Sequence, residues 1–408
     1  MSEAVIYGAG NIGRGFIAPL FSAAGWRICF VDIVAPVLEL LNSKGRYTVE
    51  CVDADGARTQ SEVVDIRAIN GSEQAAVAGA IAGCGILVTC VGANVLPRIA
   101  GNIAAGLARR RELGGEPLDI ILAENLMDAA GVMRGLLQSA VAAEDADYFN
   151  NKVGLVEASV GRMVPVQTPE MQRGDILRIC TEPYGEMPVD ADAFRGPVPD
   201  VPGIIPERDF GFYVRRKLFI HNMLHALCAW YGRLLGYEQI APAASDRRIG
   251  PLLQGAAEEI TAALALTAYR ANIALADPER TPGALDSYAK SVLHRIRNTL
   301  LGDTCERVGR DIARKLAPSD RVAGAARLCI EQSLPCRHIL GGIAAALLFD
   351  PKESAACGFD VSGGDAAAFA REYCGLLLSD ADAGELRGMY GRLKAGDVDG
   401  YGKIVGAR

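Results

Sequence analysis

The feature that most constrains the fold is a glycine-rich turn between two short apolar segments near the start of the chain. Residues 4–7 are apolar, the pattern G-x-G-x-x-G follows at 8–13, and an apolar helical pattern begins at Phe16. A second apolar segment, 28–31, is followed by Asp32. Strand, glycines, helix, strand and terminal acid in this order are typical of a dinucleotide-binding unit, whereas the glycines alone would indicate only a tight turn.

Each glycine of this turn has its own physical reason. Gly8 permits the tight turn, Gly10 lets the backbone approach a pyrophosphate, and Gly13 allows close packing of helix on strand. The start of the helix adds free N–H donors and a positive dipole end. We therefore predict that the whole loop contacts the cofactor, namely Gly8, Ala9, Gly10, Asn11, Ile12 and Gly13.

Asp32 indicates which dinucleotide is bound. A carboxylate at this position accepts hydrogen bonds from the adenosine ribose and repels a 2′-phosphate. The following residues, 33–36, contain no arginine that would attract such a phosphate. The sequence therefore predicts NAD as the cofactor in preference to NADP.

The pattern of strands and helices continues beyond the fingerprint. We predict strands at 4–7, 28–32, 47–52, 63–66, 86–92 and 118–125, and helices at 37–42, 75–82, 95–111 and 126–137. Gly92 and Asn125 stand at the ends of two of these strands, where ligands bind in open parallel sheets. Both are therefore candidate site residues, although Asn125 would also suit the N-cap of the helix that follows it.

A proline-rich stretch separates two regions of different texture. Six of the nineteen prolines fall within 182–206, which disfavours helices and central strands there. After it, helical patterning dominates, for example at 253–276. We predict an α/β fold with a Rossmann-type NAD-binding domain at 1–190 and a mostly helical substrate domain at 191–408.

Composition excludes several classes of protein. The net charge of −7 argues against a nucleic-acid or membrane-surface partner, and no apolar run is long enough for a membrane span. The eleven cysteines are scattered singly without a C-x-x-C pair, which is typical of reduced thiols in a cytoplasmic protein. No cysteine or histidine has the spacing of a zinc ligand, so we expect no metal site.

A second motif lies at the start of the helical region, where Lys217, Asn222 and His225 form the pattern K-x4-N-x2-H. On an α-helix the asparagine and histidine would lie about 140° and about 80° around from the lysine, on one arc. A lysine base, an amide donor and an imidazole suit the oxidation of an alcohol, with neighbouring Arg215 and Arg216 expected to lower the pKa of the lysine. From spacing alone, a solvated helix face remains an alternative. His221 lies on the same arc as a rival to His225.

The two motifs together resemble the polyol-specific long-chain dehydrogenase/reductase family, nearly from end to end of the chain. The length is similar to the short branch that acts on phosphorylated polyols. The matching segments are 8–17, Ala123-Glu124-Asn125, Arg162 with Val164-Pro165, Arg215-x-Lys217-Leu218-Phe219, Arg295-x-x-Asn298, 306–310 and 314–316.

The resemblance implies an NAD-dependent oxidoreductase that interconverts a sugar-alcohol phosphate and a keto-sugar phosphate. It assigns Lys217 as general base, Asn125 and Asn222 as donors to the developing alkoxide, and His225 as a substrate contact. Arg295 matches a substrate-contacting arginine, with Asn298 in the same motif. One departure is Gly161, where the family usually has an aspartate; Glu157 is a possible replacement.

A phosphorylated substrate also requires local positive charge in an acidic protein. Arg310, Arg314 and Lys315 form a basic cluster, and on one helix the two arginines would share a face. Pairing with Glu306 and Asp311 on a solvated face is the alternative interpretation.

Three other functions fit parts of the pattern. Tyr213 and Lys217 also match the Tyr-x3-Lys of short-chain dehydrogenases, but the glycine spacing and the two-domain organisation do not. An oxidoreductase of an unphosphorylated polyol or a hexuronate would need no phosphate cluster. A dinucleotide sensor without catalysis would keep residues 8–13 but would not need Lys217.

Overall fold

The computed structural model describes residues 2–271 and 277–398. The chain divides into two compact units, Met1–Val214 and Arg215–Arg408. The first unit contains the strands, and the second is built from helices. The predicted α/β fold class, a Rossmann-like unit followed by a mostly helical one, is confirmed.

The glycine-rich turn follows the first strand of the first unit. The strands are numbered in chain order. They are β1 (Glu3–Tyr7), β2 (Arg27–Asp32), β3 (Tyr47–Val52), β4 (Arg58–Val63), β5 (Ile66–Asn70), β6 (Ile86–Thr89), β7 (Leu118–Leu122), β8 (Val153–Glu157), β9 (Ile179–Thr181), β10 (Met187–Asp190) and β11 (Ile204–Glu207). Six of them form a parallel sheet in the order β5-β2-β1-β6-β7-β8. This is the strand order of a doubly wound dinucleotide-binding fold.

The main sheet is apolar on both faces, which explains its continuous hydrophobic runs. Successive side chains of a strand point to opposite faces. Ile6 and Phe30 accordingly belong to one buried cluster, and Val5 and Val31 to the other. Parallel strands of this kind are covered by helices on both sides.

The helices of the first unit lie between these strands. They are α1 (Ala18–Ala23), α2 (Ala35–Lys44), α3 (Gln74–Gly83), α4 (Leu96–Glu112), α5 (Ala129–Ala140), α6 (Ala146–Lys152) and α7 (Pro169–Gln172). The predicted strand at 63–66 is wrong, because β4 ends at Val63 and β5 starts at Ile66. Between them Asp65 adopts a left-handed conformation with φ of 54°, which no continuous strand accommodates.

Two small sheets complete the first unit. β3 pairs with β4 and β9, and β10 pairs in parallel with β11. The last pair contains Pro188 and Pro206 in a two-stranded sheet, where both strands are edges and can carry proline. Because this pair belongs to the first unit, that unit ends later in the chain than the expected boundary after residue 190.

Helices make up the second unit, apart from an isolated bridge between Gln239 and Thr304 among its described residues. Helix α8 (Gly211–Arg216) contains the boundary between the units. It is followed by α9 (Met223–Leu234), α10 (Ile240–Ala244), α11 (Ile249–Arg270), α12 (Pro282–Arg295), α13 (Cys305–Gly309), α14 (Ile312–Lys315), α15 (Ala323–Glu331), α16 (Arg337–Phe349), α17 (Pro351–Ala356), α18 (Ala366–Glu372) and α19 (Asp380–Lys394). The predicted helix 253–276 corresponds to α11, and its last five positions lie outside the described residues. Among the described helices, none has the length and apolarity required to cross a membrane.

Candidate active site

The glycine-rich turn has the backbone geometry that its sequence predicts. Gly8 has a φ of 116°, and a Cβ there would lie 2.8 Å from the carbonyl oxygen of Cys90. A Cβ on Gly13 would lie 2.0 Å from the carbonyl oxygen of Gly8, so only glycine lets the helix start this close to β1. Gly10 is exposed and would point a Cβ into open space, where a ligand can approach the backbone.

Asp32 holds this turn in place through its side chain. Its Oδ2 accepts a hydrogen bond from the Ala9 amide at 2.7 Å, and its Oδ1 accepts one from the Ile33 amide, also at 2.7 Å. Asn11 fixes the other side of the loop, because its Nδ2 donates to the Pro165 carbonyl at 2.9 Å. The loop is therefore held in position by hydrogen bonds on both sides.

A cavity of about 360 Å³ opens beside the turn. Its walls include Gly8, Gly10 and Asp32 from the fingerprint and Arg98 and Asn102 from α4. This volume falls within the range of small-molecule pockets, roughly 300–1,000 Å³. The cavity thus joins the phosphate-binding glycines to the acid that would contact a ribose.

Gly92 and Asn125 lie beyond the strands that were predicted to carry them. β6 ends at Thr89, and Gly92 adopts a φ of 90° in the turn after it. β7 ends at Leu122, and Asn125 is exposed in the following loop. The N-cap interpretation of Asn125 is wrong, because the cap of α5 is Asp128, whose carboxylate accepts from the Gly131 amide.

Glu124 is a polar residue of this edge that the sequence reasoning did not select. It is 6% exposed, and its carboxylate accepts hydrogen bonds from the Thr89 hydroxyl at 2.8 Å and the Val91 amide at 3.2 Å. Burial raises its pKa. Glu124 therefore ties the ends of β6 and β7 together, and its place in the Ala-Glu-Asn segment was the available signal.

The position of the missing family aspartate, Gly161, is closed by an aromatic ring. A Cβ on Gly161 would lie 2.8 Å from Cε1 of Tyr184, so a longer side chain would displace that ring. Glu157 has a role in its own unit, because its Oε1 accepts from the Ala130 amide at 3.2 Å at the start of α5. Burial raises the pKa of Glu157.

The K-x4-N-x2-H motif of the second unit lies on an irregular helix. Residues Lys217–Asn222 form a π-helical turn between α8 and α9, where the sequence predicted a regular helix. In a π-helix the hydrogen bonds span five residues, and such turns are frequent at functional sites. Because Lys217 and Asn222 are five apart, the wider turn of a π-helix brings them closer to one face than an α-helix would.

The pKa of Lys217 is lowered, as the role of a general base would require. Its pKa falls to about 8, first because of burial and second because of the positive charge of Arg321. The prediction that Arg215 and Arg216 lower the pKa of Lys217 is wrong. Arg215 is exposed, and the Arg216 guanidinium bonds Glu279 at 2.8 Å and lies over the Tyr288 ring.

The two histidines of the motif lie with ring centroids 6.3 Å apart. Nε2 of His225 is 3.4 Å from the Asp303 carboxylate, yet burial outweighs that charge and lowers the pKa of His225 to about 4. His221 is 5% exposed, and its Nδ1 makes no hydrogen bond within the described residues. Burial and surrounding positive charges lower the pKa of His221 as well, so both imidazoles are neutral near pH 7.

Arg295 and Asn298 are buried at the end of α12 and just beyond it, with 8% and 3% exposure. The Asn298 side chain accepts a hydrogen bond from the Leu300 amide at 3.0 Å. Asn298 and His225 also line a small cavity of about 10 Å³, enough for roughly one water molecule.

The basic cluster at 310–315 does not form one helix face. α13 ends at Gly309 and α14 begins at Ile312, with Asp311 in a left-handed conformation between them. Exposed Arg314 donates to the Asp311 carboxylate at 2.6 Å, which matches the solvated alternative. Lys315 is 4% exposed, and its ammonium donates to the Arg310 carbonyl.

Arg321 is the residue of this unit that the sequence reasoning missed. It is 7% exposed, and its Nε donates to the Asp320 carboxylate at 2.7 Å. Its positive charge contributes to the lowered pKa of four neighbours, Lys217, His221, His225 and Lys315. The only signal in the sequence is an arginine at the start of an otherwise small and apolar segment, 321–326.

Comparison with known proteins connects the two units to one family. The model of the mannitol dehydrogenase Rossmann domain matches residues 2–203, and that of the mannitol dehydrogenase C-terminal domain matches residues 209–366. The chain belongs to the mannitol dehydrogenase family. The family resemblance and the expectation of an oxidoreductase are thereby confirmed.

Curated and solved relatives agree with membership of the mannitol dehydrogenase family. A protein of Brevibacillus brevis named mannitol-1-phosphate 5-dehydrogenase is 38% identical over 356 residues, 86% of this chain and 87% of its own. Substrate-free D-sorbitol dehydrogenase shares the fold with a TM-score of 0.78 at 17% identity, over 98% of this chain and 94% of its own. Pseudomonas fluorescens mannitol 2-dehydrogenase, solved with NAD and D-mannitol, has a TM-score of 0.72 at 17% identity, over 99% and 94%.

The part of the chain that the structure describes contains no cluster of potential metal ligands. Within residues 2–271 and 277–398, no three histidine, cysteine or acidic side chains are arranged to hold a metal ion. His338 instead has a structural partner, because its Nδ1 lies 2.8 Å from the Glu259 carboxylate.

Proposed function

We propose that this chain interconverts mannitol 1-phosphate and NAD with fructose 6-phosphate and NADH. The observation that carries the proposal is the 38% identity to a relative named mannitol-1-phosphate 5-dehydrogenase, which extends over 86% of this chain. A match of 356 residues extends into both units, because each unit is shorter than that. The alternative substrate is an unphosphorylated polyol or a hexuronate.

The residues of the first unit fit NAD. The amides of residues 8–13 would hold the pyrophosphate, because Gly8 and Gly13 permit the tight turn where a Cβ would clash with the neighbouring backbone, and Gly10 opens to free space. Asp32 would accept from the adenosine ribose while its present bonds to Ala9 and Ile33 keep the loop ordered. Bound NAD supplies the hydride acceptor of the reaction. Gly92, in the turn after β6, is assigned to the same cofactor.

Lys217 supplies the base. With a pKa of about 8, a substantial fraction of the amine is neutral at mildly alkaline pH and can take the proton of the substrate hydroxyl. Proton removal by an amine requires no metal ion. Asn125 and Asn222 are assigned as donors to the oxygen as it gains negative charge.

The neutral histidine and the buried polar residues are assigned to the substrate. His225 can donate or accept a hydrogen bond without adding charge, because its pKa lies near 4. Arg295 and Asn298 are assigned to the hydroxyl groups on the ground of the family motif. Lys315 and the two exposed arginines, Arg310 and Arg314, are the candidates from the sequence for the phosphate.

We also place the reaction in the cytoplasm. All eleven cysteines are free thiols in the structure, and such thiols persist in a reducing compartment. Cell fractionation followed by the enzyme assay measures this directly; activity confined to an oxidising compartment would contradict it.

An activity screen tests the function. The purified protein is assayed with NAD and NADP on polyols with and without a terminal phosphate. We expect the highest kcat/KM for mannitol 1-phosphate with NAD, and a much lower value for mannitol. Equal or better use of the free polyol would reject the phosphate assignment and favour the alternative substrate. NAD binding without turnover of any polyol would reject catalysis.

A further inference from the structure

We propose that Arg321, assisted by Lys315, binds the phosphate group of the substrate and selects phosphorylated polyols. The inference rests on the proposed function and deepens it, because it moves the phosphate site from the exposed arginines 310 and 314 to a buried one. The site would accept a phosphate monoester.

The packing of the second unit attaches Arg321 to the catalytic turn. Gly324 lies in the first turn of α15, three residues after Arg321, and a Cβ there would lie 2.8 Å from the ring of Phe219. Phe219 belongs to the same π-helical turn as Lys217. The segment that carries Arg321 is therefore in direct contact with the turn that carries the base.

The guanidinium of Arg321 has donors that its protein partner does not use. Nε donates to Asp320 at 2.7 Å, whereas neither Nη atom makes a hydrogen bond within the described residues. Two terminal N–H groups of one guanidinium match two oxygens of a phosphate in a bidentate contact. Exposed Arg314 differs, because its Nε bonds Asp311 at 2.6 Å and its Nη1 lies 3.7 Å from Asp320.

The charges around Arg321 favour an anion. Burial is the first cause of the lowered pKa of both Lys217 and Lys315, and the charge of Arg321 is the second for each. Asp311 and Glu353 act on Lys315 in the opposite direction, yet its pKa still falls to about 8. Buried groups of like charge raise each other's free energy, and a bound anion relieves that repulsion.

This arrangement explains selectivity by charge. A phosphorylated polyol would bring a dianion to the cluster and compensate it. The free polyol would add no negative charge to that of Asp320, which already pairs with Arg321, so it should bind less tightly than the phosphate ester.

The test compares Arg321→Ala with Arg321→Lys and a control variant, Arg387→Ala. Arg387 lies on α19, is about half exposed and pairs with Asp365 at 2.7 Å. For Arg321→Ala we expect KM for mannitol 1-phosphate to rise roughly 10- to 150-fold, the loss of a charge-assisted contact. Because Arg321 also lowers the pKa of Lys217, both substrates are measured at the same pH, and kcat/KM for mannitol should fall at least about tenfold less than kcat/KM for mannitol 1-phosphate. Arg321→Lys should recover part of the affinity. The control should match the wild type.

A measurement on the wild-type protein keeps the proposal testable if the alanine variant does not fold. Inorganic phosphate should inhibit competitively against mannitol 1-phosphate, and Arg321→Lys should weaken this inhibition. Absence of competitive inhibition in the wild type would overturn the proposal.

The variants also separate this inference from the proposed function. A wild type that does not prefer mannitol 1-phosphate to mannitol would reject the function itself. A wild type with that preference, combined with an Arg321→Ala variant of unchanged KM, would reject Arg321 alone. Equal loss of activity on both substrates would overturn the inference too, because it would show that Arg321 only supports the Lys217 turn.

Discussion

The two units of this chain form their sites in opposite ways. In the first, the site is made by backbone: Gly8 and Gly13 are needed for conformation and clearance, and Asp32 holds the loop by accepting amide hydrogens. In the second, the site is made by buried charge: Lys217 and Arg321 sit where burial lowers the pKa of both. The first site depends on the absence of Cβ atoms at two glycines. The second depends on the short distance between buried positive charges.

This difference has an energetic side. A glycine turn lowers the free energy of unfolding little, and its backbone amides remain available to a ligand. Burying Lys217 and Arg321 in one another's field costs stability in the absence of a compensating anion. The comparison therefore predicts large functional effects from charged residues of the helical unit and mixed folding and binding effects from the glycine turn.

Removal of Lys217, the proposed base, should have the largest effect. Lys217→Ala should lower kcat by about 10²- to 10⁴-fold, the usual contribution of general acid–base catalysis, while NADH affinity stays nearly unchanged. Steady-state kinetics and fluorescence titration of NADH measure the two quantities. Lys290→Ala is the matched control, since this lysine is exposed and pairs with Asp286 at 2.7 Å. A Lys217→Ala variant with a tenth of wild-type turnover would remove the lysine from the mechanism.

The pH dependence of the wild type tests the same residue without mutation. The pKa of Lys217 is lowered to about 8, so the neutral base accumulates as pH rises through that value. Polyol oxidation should therefore increase up to pH of about 8 and then level, whereas ketose reduction, which needs the protonated amine, should decline above it. A flat profile for oxidation between pH 7 and 9, at saturating NAD, would contradict the assignment.

Changing the acid of the first unit should have the next largest effect. Asp32→Ala should weaken NAD by roughly 10- to 150-fold, the value of a charge-assisted hydrogen bond, and should reduce discrimination against NADP. Because Asp32 also bonds the Ala9 amide, Asp32→Asn serves as the control that retains one acceptor oxygen and loses the negative charge. The ratio of kcat/KM for NAD and NADP is the readout. A wild type that uses both cofactors equally would disprove the argument.

Two glycines of the same loop separate folding from binding. Gly13→Ala would place a methyl group 2.0 Å from the Gly8 carbonyl oxygen and should lower the free energy of unfolding by at least about 1–3 kcal/mol. Gly10→Ala meets no atom within 4 Å, so stability should be retained while NAD binding weakens. Thermal denaturation and NAD titration of both variants measure this contrast. Equal loss of stability in both would show that clearance does not explain the pattern.

The fold and the first site could be predicted because short-range patterns determine them. Continuous apolar runs, which are buried on both faces, predicted the parallel strands, and the glycine spacing predicted the turn. The strand predicted at 63–66 spans the junction of β4 and β5, because the left-handed Asp65 that separates them leaves no clear signal in the sequence.

The second site could be predicted only in part. K-x4-N-x2-H identified the segment, but the π-helical turn depends on packing and not on residue spacing. The source of charge on Lys217 was assigned to sequence neighbours, whereas Arg321 lies about a hundred residues away in the chain. Long-range electrostatics of this kind has no signature in local sequence.

The smallest expected effect concerns the exposed arginines that the sequence selected for the phosphate. The helix is interrupted at Asp311, and Arg314 forms an ion pair with that residue in which both side chains are 49% exposed. A contact between such an exposed arginine and the phosphate would be screened like a surface ion pair and contribute about 0–1 kcal/mol, so Arg314→Ala should raise KM for mannitol 1-phosphate by no more than about fivefold. Arg310→Ala, also at an exposed position, should behave in the same way.

Measured beside Arg321→Ala, these two variants decide which part of the helical unit recognises phosphate. Each is assayed on mannitol 1-phosphate and on mannitol under identical conditions. A rise in KM of tenfold or more for the phosphate ester alone, in either variant, would return the phosphate site to residues 310–315.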